Sequence, residues 1–306
     1  MATLSGLEAV DFVPTLITPK SAVTKATGSI TLYEPPSCLA DQKSLSPWSL
    51  LVRAALKVKS IPYHTSLVRI STLPSFGPSI GAPPTGSNAD GSPKYTFPII
   101  KDDHHAHGEK GTGTVVADSL AILHYLDKTY PSSHGLFPPP TRATPDASSL
   151  VTLIAHTLGH GSPLYNTLLA PEWKRHMPLA EYDYWEAQLK KGGGLLGHAV
   201  DPATWRAPEE GSAEFEAVIQ KTMVGLGQIL QALGNNEWFA EGHNPTYPDF
   251  ALLAHLEMVR LWRPEVLERL FASGAKDGVD GERLRRYLTS GEKLVVFVPE
   301  EKGTLS

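Results

Sequence analysis

Three places in this sequence put a hydroxyl or carboxylate where a helix should begin: Ser46-Pro47-Trp48, Ala117-Asp118-Ser119 and Thr246-Tyr247-Pro248-Asp249. The first turn of a helix carries unpaired backbone N–H groups and the positive end of the dipole, so such a residue either caps the helix or helps it hold an anion. Thr246 and Asp249 have the spacing of a capping box with Pro in the first turn, which is a folding device. Ser46 before Pro47 reads equally well as a bare N-cap. Asp118-Ser119 suits an anionic ligand, and in isolation it is also a plain cap. A fourth candidate is Pro98 in Tyr95-Thr96-Phe97-Pro98-Ile99-Ile100. A proline opening a strand holds the preceding residue extended, which a trans proline at a sheet edge explains as well.

Other chemistry-bearing residues point to less. His156 and His160 stand at i, i+4, but no Glu completes a His-Glu-x-x-His pattern and no third ligand is apparent, so no metal is expected. His104, His105 and His107 fall in a polar loop. Lys190-Lys191 followed by three glycines lacks the spacing of a phosphate loop, and a helix end explains it.

The elements that must position these residues follow from periodicity. Ile30 to Tyr33 is a short β run stopped by Pro35-Pro36. Trp48, Leu51, Val52, Ala55 and Leu56 recur with the helical period after the Ser46 cap, and Tyr63 to Ile70 reads as a second strand, giving a βαβ unit. Residues 71–95 offer a short helix near Leu73 to Ile80 and then a long loop. Strands over Thr96 to Ile100 and Thr114 to Ala117 flank a Gly-rich hairpin loop, and a helix starts at Asp118 or Ser119. Pro131 to Ala147 has the composition of an interdomain connection. Beyond it the helical period dominates: Ser148 to Leu169, Ala180 to Lys191, Ala213 to Leu233 and Tyr247 to Trp262. The last is apolar nearly all round and should be central. The expected organisation is an extension over 1–29, an α/β domain over 30–131, a linker over 132–147 and an all-helical domain over 148–306.

The chain has 306 residues, 41% of them hydrophobic, enough for about two cores at roughly 150 residues per domain. A net charge of −5 without basic blocks argues against nucleic acid as a partner. Cys38 is the single cysteine, so an internal disulfide is excluded and a reducing compartment fits. No run of about 18 apolar residues suggests a membrane span, and Glu8 and Asp11 interrupt what a signal peptide would keep apolar, so a cytoplasmic location is expected.

In this order and on these elements, the strand with its early proline, the Asp-Ser helix start and the capped bundle helix resemble the glutathione transferase superfamily over roughly residues 30–290. The resemblance implies an α/β thioredoxin-like N-terminal domain plus an all-α C-terminal helix bundle, glutathione as co-substrate and a homodimer. In that family the proline is cis, which would turn the N–H and C=O of Phe97 toward the cysteinyl part of glutathione. Asp118 and Ser119 would hold the γ-glutamyl group, and Ser46 would activate the thiol, with Ser49 and Cys38 in reserve. The second substrate would lie between the domains, against Trp48, His156, His160, Tyr165 or Trp173. The stretches ITLYEPPS, LSPWSLLVRAALKVKSIPY and ADSLAILHYLDKTYP are similar to fungal transferases related to bacterial lignin β-etherases. That implies an aromatic or natural-product electrophile, conjugated or cleaved at an ether, and a place in secondary metabolism. A non-catalytic carrier of hydrophobic ligands, or a glutathione-independent dehydratase, cyclase or isomerase, remains an alternative use of the same fold.

Overall fold

The computed structural model describes residues 30–39, 44, 46–88, 90–104, 113–131, 134–137, 146–190, 200–240, 244–274 and 279–295. The expected extension over 1–29, most of the linker and the loop histidines 105 and 107 lie outside the described residues.

The N-terminal half is built on a four-stranded sheet. Strand β1 (Ile30–Glu34) runs parallel to β2 (Tyr63–Leu67) through helix α1 (Pro47–Val58). It pairs antiparallel with β5 (Ile99–Asp102), which pairs antiparallel with β6 (Thr114–Ala117). Helix α2 (Leu73–Ser79) precedes a two-residue hairpin of β3 (Gly86–Ser87) and β4 (Pro93–Lys94), and α3 (Ser119–Thr129) follows β6. This is the mixed sheet and helix arrangement of a thioredoxin-like domain.

The C-terminal half is all helical. It comprises α4 (Ala147–Leu158), a π-helical turn over Leu164–Leu169, a 3-10 turn over Ala170–Glu172, α5 (Trp173–His176) and α6 (Leu179–Lys190). After these come α7 (Ala213–Leu233), α8 (Tyr247–Trp262), α9 (Pro264–Phe271) and α10 (Gly281–Val295). No helix among the described residues is long and apolar enough to cross a membrane.

One contiguous apolar core runs from Ile30 and Leu32 through α1 to Phe250, Leu253 and Leu284. Helix α1 lies mainly on α8, whose residues Phe250 to Leu256 are fully enclosed. Thr246 caps α8, and Asp249, its capping-box partner three residues on, accepts from the N–H groups of Phe239 at 3.0 Å and Thr246 at 2.8 Å and from the Tyr287 hydroxyl at 2.7 Å. In the other half, Glu34 and Arg53 form an enclosed ion pair that ties β1 to α1, and Arg53 also donates to Thr65 of β2 at 2.9 Å.

Four boundaries differ from the sequence-based expectation. Strand β2 stops at Leu67 instead of Ile70, because its partner ends at Glu34, whose carbonyl takes the last N–H, from Val68; Ile70–Thr72 then forms a 3-10 turn. Strand β5 starts at Ile99 instead of Thr96: Pro98 has no N–H to give, and ladder partners exist only from Ile99 to Asp102. The span read as a long loop contains the small β3-β4 hairpin. The expected helix over 148–169 breaks after Leu158. A side chain at Gly159 would stand 2.8 Å from both the Ala155 carbonyl and His255 Nε2, and Gly161 has φ +89°, so the helix gives way to glycine backbone there.

Candidate active site

The register of the sheet decides which loops meet. Tyr33 pairs with Ile99, and Ile99 with Ala117, so the end of β1, the start of β5 and the end of β6 lie in one row. The segment leading to Ser46, the Phe97-Pro98 peptide and the Asp118-Ser119 helix start therefore open on the same edge of the sheet.

Ser46 sits half-buried at the N-cap of α1. Its Oγ accepts from the Ser49 N–H at 3.3 Å, and its own N–H donates to Ser44 Oγ at 3.3 Å. Capping uses an acceptor lone pair, so the hydroxyl proton is still available to an anion. Ser49 cannot serve as the reserve: it is fully enclosed, and its Oγ has no partner among the described residues. Cys38 is exposed, with its N–H on the His176 carbonyl at 3.0 Å, and the slight desolvation of its thiol pushes the pKa up, the opposite of what a nucleophilic cysteine needs.

The Phe97-Pro98 peptide is cis. Phe97 lies outside the ladder, and its N–H and C=O have no partner among the described residues. Asp118 has φ +78°, an uncommon conformation for a residue with a side chain, and its Oδ1 accepts from the Ala121 N–H at 3.0 Å as the N-cap of α3. Ser119, the first helical residue, is 8% exposed. Sequence reasoning missed Tyr247. Burial pushes its hydroxyl up to about 12, and the Asp118 carboxylate adds to the shift, which places the start of α8 beside the start of α3. Its position one residue after the Thr246 cap was the available signal.

The residues expected to line a second-substrate pocket do not form one wall. His156 is exposed on α4 and reaches none of the others. Trp48 turns into the interface between the two halves, edge-on to His255 of α8 at 5.1 Å. His255 Nδ1 lies 2.7 Å from the Ala251 carbonyl, which leaves Nε2 a bare acceptor without a partner among the described residues. Burial holds this imidazole neutral, with its pKa down to about 4. His160 packs against Tyr165 at 4.3 Å; burial, with repulsion from His255 second, lowers its pKa to about 3. Of these residues only Tyr165 and Trp173 line a cleft, which lies within the helical half beside α5 and α6. No group of His, Cys, Asp and Glu able to hold a metal occurs among the described residues.

Comparisons with known proteins agree with this architecture. The glutathione S-transferase N-terminal domain model matches residues 45–129. Glutathione S-transferase CsGST63524 of Ceriporiopsis subvermispora, solved in complex with glutathione, is 28% identical over 88% of this chain and 99% of its own, with a TM-score of 0.69. Glutathione transferase GSTFuA3 of Phanerochaete chrysosporium is 25% identical over 88% of this chain and 98% of its own, with a TM-score of 0.67. Among curated protein sequences none matches. A thioredoxin-like sheet carrying a cis proline beside an Asp-Ser helix start, joined to this bundle, defines a transferase-type fold. The chain belongs to the glutathione transferase superfamily.

Proposed function

We propose that the chain is a glutathione-using enzyme that activates the glutathione thiol at Ser46 for attack on an aromatic or natural-product electrophile. The observation that supports this is the row Tyr33, Ile99, Ala117: the segment leading to Ser46, the Phe97-Pro98 peptide and the start of α3 all adjoin that row at one end of the sheet. In this reading Phe97 pairs its N–H and C=O with the cysteinyl backbone, and Ser119 with the first turn of α3 takes the γ-glutamyl carboxylate. Asp118 takes the ammonium.

A thiol with an unperturbed pKa near 8.5 is only about 3% ionised at pH 7, and lowering it by two units needs about 2.7 kcal/mol of preference for the thiolate. One hydrogen bond from Ser46 to a charged sulfur contributes about 1.5–3 kcal/mol, and the dipole of α1 adds to it. The C. subvermispora relative solved with glutathione supports the choice of thiol. Homodimerisation belongs to the same reading.

Calorimetric titration of glutathione into the native protein and Ser119→Ala tests the binding half. Binding in the micromolar-to-millimolar range, weakened about tenfold by the substitution, is expected. Thioether formation with a nitroaryl halide tests the chemistry: Ser46→Ala lowers kcat by about tenfold or more and leaves the glutathione Kd nearly unchanged. Unchanged turnover would remove Ser46 from the mechanism.

A further inference from the structure

Glu181 stands in the first turn of α6 and is 1% exposed. Its carboxylate faces Ser71, the middle residue of the 3-10 turn Ile70–Thr72, 110 residues back along the chain. The Ser71 N–H donates to Oε2 and the Ser71 hydroxyl to Oε1, both at 2.9 Å. Among the described residues no Lys or Arg pairs with Glu181. A carboxylate taken out of water ordinarily keeps a cation or donors from several residues. Here one serine of the other half supplies both bonds, so moving that serine strips both oxygens together.

The turn runs directly into α2, which lies against the unpaired peptide of the sheet edge. Leu73, Phe76 and Ile80 share an apolar cluster with Tyr95, Phe97 and Ala117, separate from the main core. Phe76 meets Tyr33 edge-on at 5.1 Å, and a side chain at Gly77 would stand 2.6 Å from the Tyr95 ring, so α2 is seated on the segment ahead of Pro98. Among the described residues no other hydrogen bond or ion pair joins this turn or α2 to the helical half.

We propose that Glu181 is a positioning residue: its two bonds to Ser71 latch α2 to the helical half and thereby hold Phe97 where it receives glutathione. The proposal deepens the reading of Phe97 as the glutathione-pairing peptide and rests on it. Opening the latch lowers the fraction of molecules ready for glutathione and leaves Ser46 in place, so it weakens binding and spares turnover.

Hydrogen exchange and glutathione calorimetry on the full chain are the test. The N–H groups of Ile80, Gly81 and Ala82, which close α2 onto Phe76, Gly77 and Pro78, report the latch. In Glu181→Ala they exchange at least about tenfold faster, while the amides of α8 keep their native rates. The glutathione Kd rises about threefold or more, and kcat for thioether formation at saturating glutathione stays within about twofold. Glu181→Gln, whose amide can accept from the Ser71 N–H and donate to its hydroxyl oxygen, restores both readouts. Ser71→Asp sets two carboxylates against each other and exceeds Glu181→Ala in both. Native exchange at Ile80 to Ala82 in Glu181→Ala overturns the proposal, as does equal acceleration in α8, which would make Glu181 a plain core contact. A fall in kcat with unchanged Kd, or no rescue by Glu181→Gln, overturns it too. Absence of glutathione binding in the native protein removes the thiol reading and the link from latch to binding, whereas faster exchange confined to α2 in Glu181→Ala would still establish the latch itself.

Discussion

The sheet edge and the aromatic cleft invert the usual relation between distance along the chain and legibility. The edge gathers Ser46, Phe97, Asp118 and Ser119 from three separate loops, yet each could be picked out in the sequence. The cleft draws on residues 165–206, a single local stretch, and only Tyr165 and Trp173 of it were picked out, for a pocket elsewhere. The edge is built from backbone: a cap, a peptide beside a proline, a helix N-terminus. Such geometry demands particular residue types. The cleft is built from ring faces, and an indole that lines a cleft has the same sequence signature as one that fills a core.

The largest effect that could break this contrast concerns the frame of the edge. Arg53→Met leaves Glu34 enclosed without its partner and should cost about 3–5 kcal/mol, read from the urea midpoint. Every tryptophan except Trp48 lies in the helical half, so fluorescence follows that half while far-UV dichroism follows both. The shared core predicts coincident transitions. Separated transitions would show the edge and the cleft to be independent.

A smaller effect comes from the join between the halves, where Trp48 meets His255. The His255 pKa falls from 6.5 to about 4 on folding. Below pH 6.5 the unfolded chain takes a proton that the folded chain refuses, so stability is full above that pH and is lost toward pH 4. Between pH 7 and pH 5 this single group should remove about 2 kcal/mol, measured as the part of the shift in urea midpoint that His255→Gln abolishes, since His160 is also held neutral over that window. A flat profile would mean that the imidazole reaches solvent.

The smallest effect on stability sharpens the contrast at the edge itself. Asp118→Gly gives up a cap but relieves a left-handed backbone, so stability should move by less than about 0.5 kcal/mol. Glutathione affinity should nonetheless fall about tenfold, since a charged hydrogen bond of roughly 1.5 kcal/mol goes with the carboxylate. Equal small changes in both would reduce Asp118 to a cap.

Sequence alone settled what local backbone chemistry dictates. The Ser46-Pro47 start of α1, a start of α3 at Asp118 or Ser119, the Thr246-Asp249 start of α8, the central place of that helix and the sequence of strands and helices along the chain in the main sheet all follow from periodicity and from residues that fit only special positions. What needed the tertiary structure was each question of which neighbour a side chain meets. Ser49 and Ser46 lie three residues apart in one motif, yet one faces the core and the other the edge. His156 and His160 share a helical spacing, but the chain leaves the helix at Gly159, so one is exposed and the other packs on Tyr165. Strand ends moved for the same reason, since a strand lasts only as long as the partner beside it. Residue type constrains φ, ψ and capping within a few positions along the chain; the direction of a ring or a hydroxyl is set by whatever packs against it from elements that are remote in sequence.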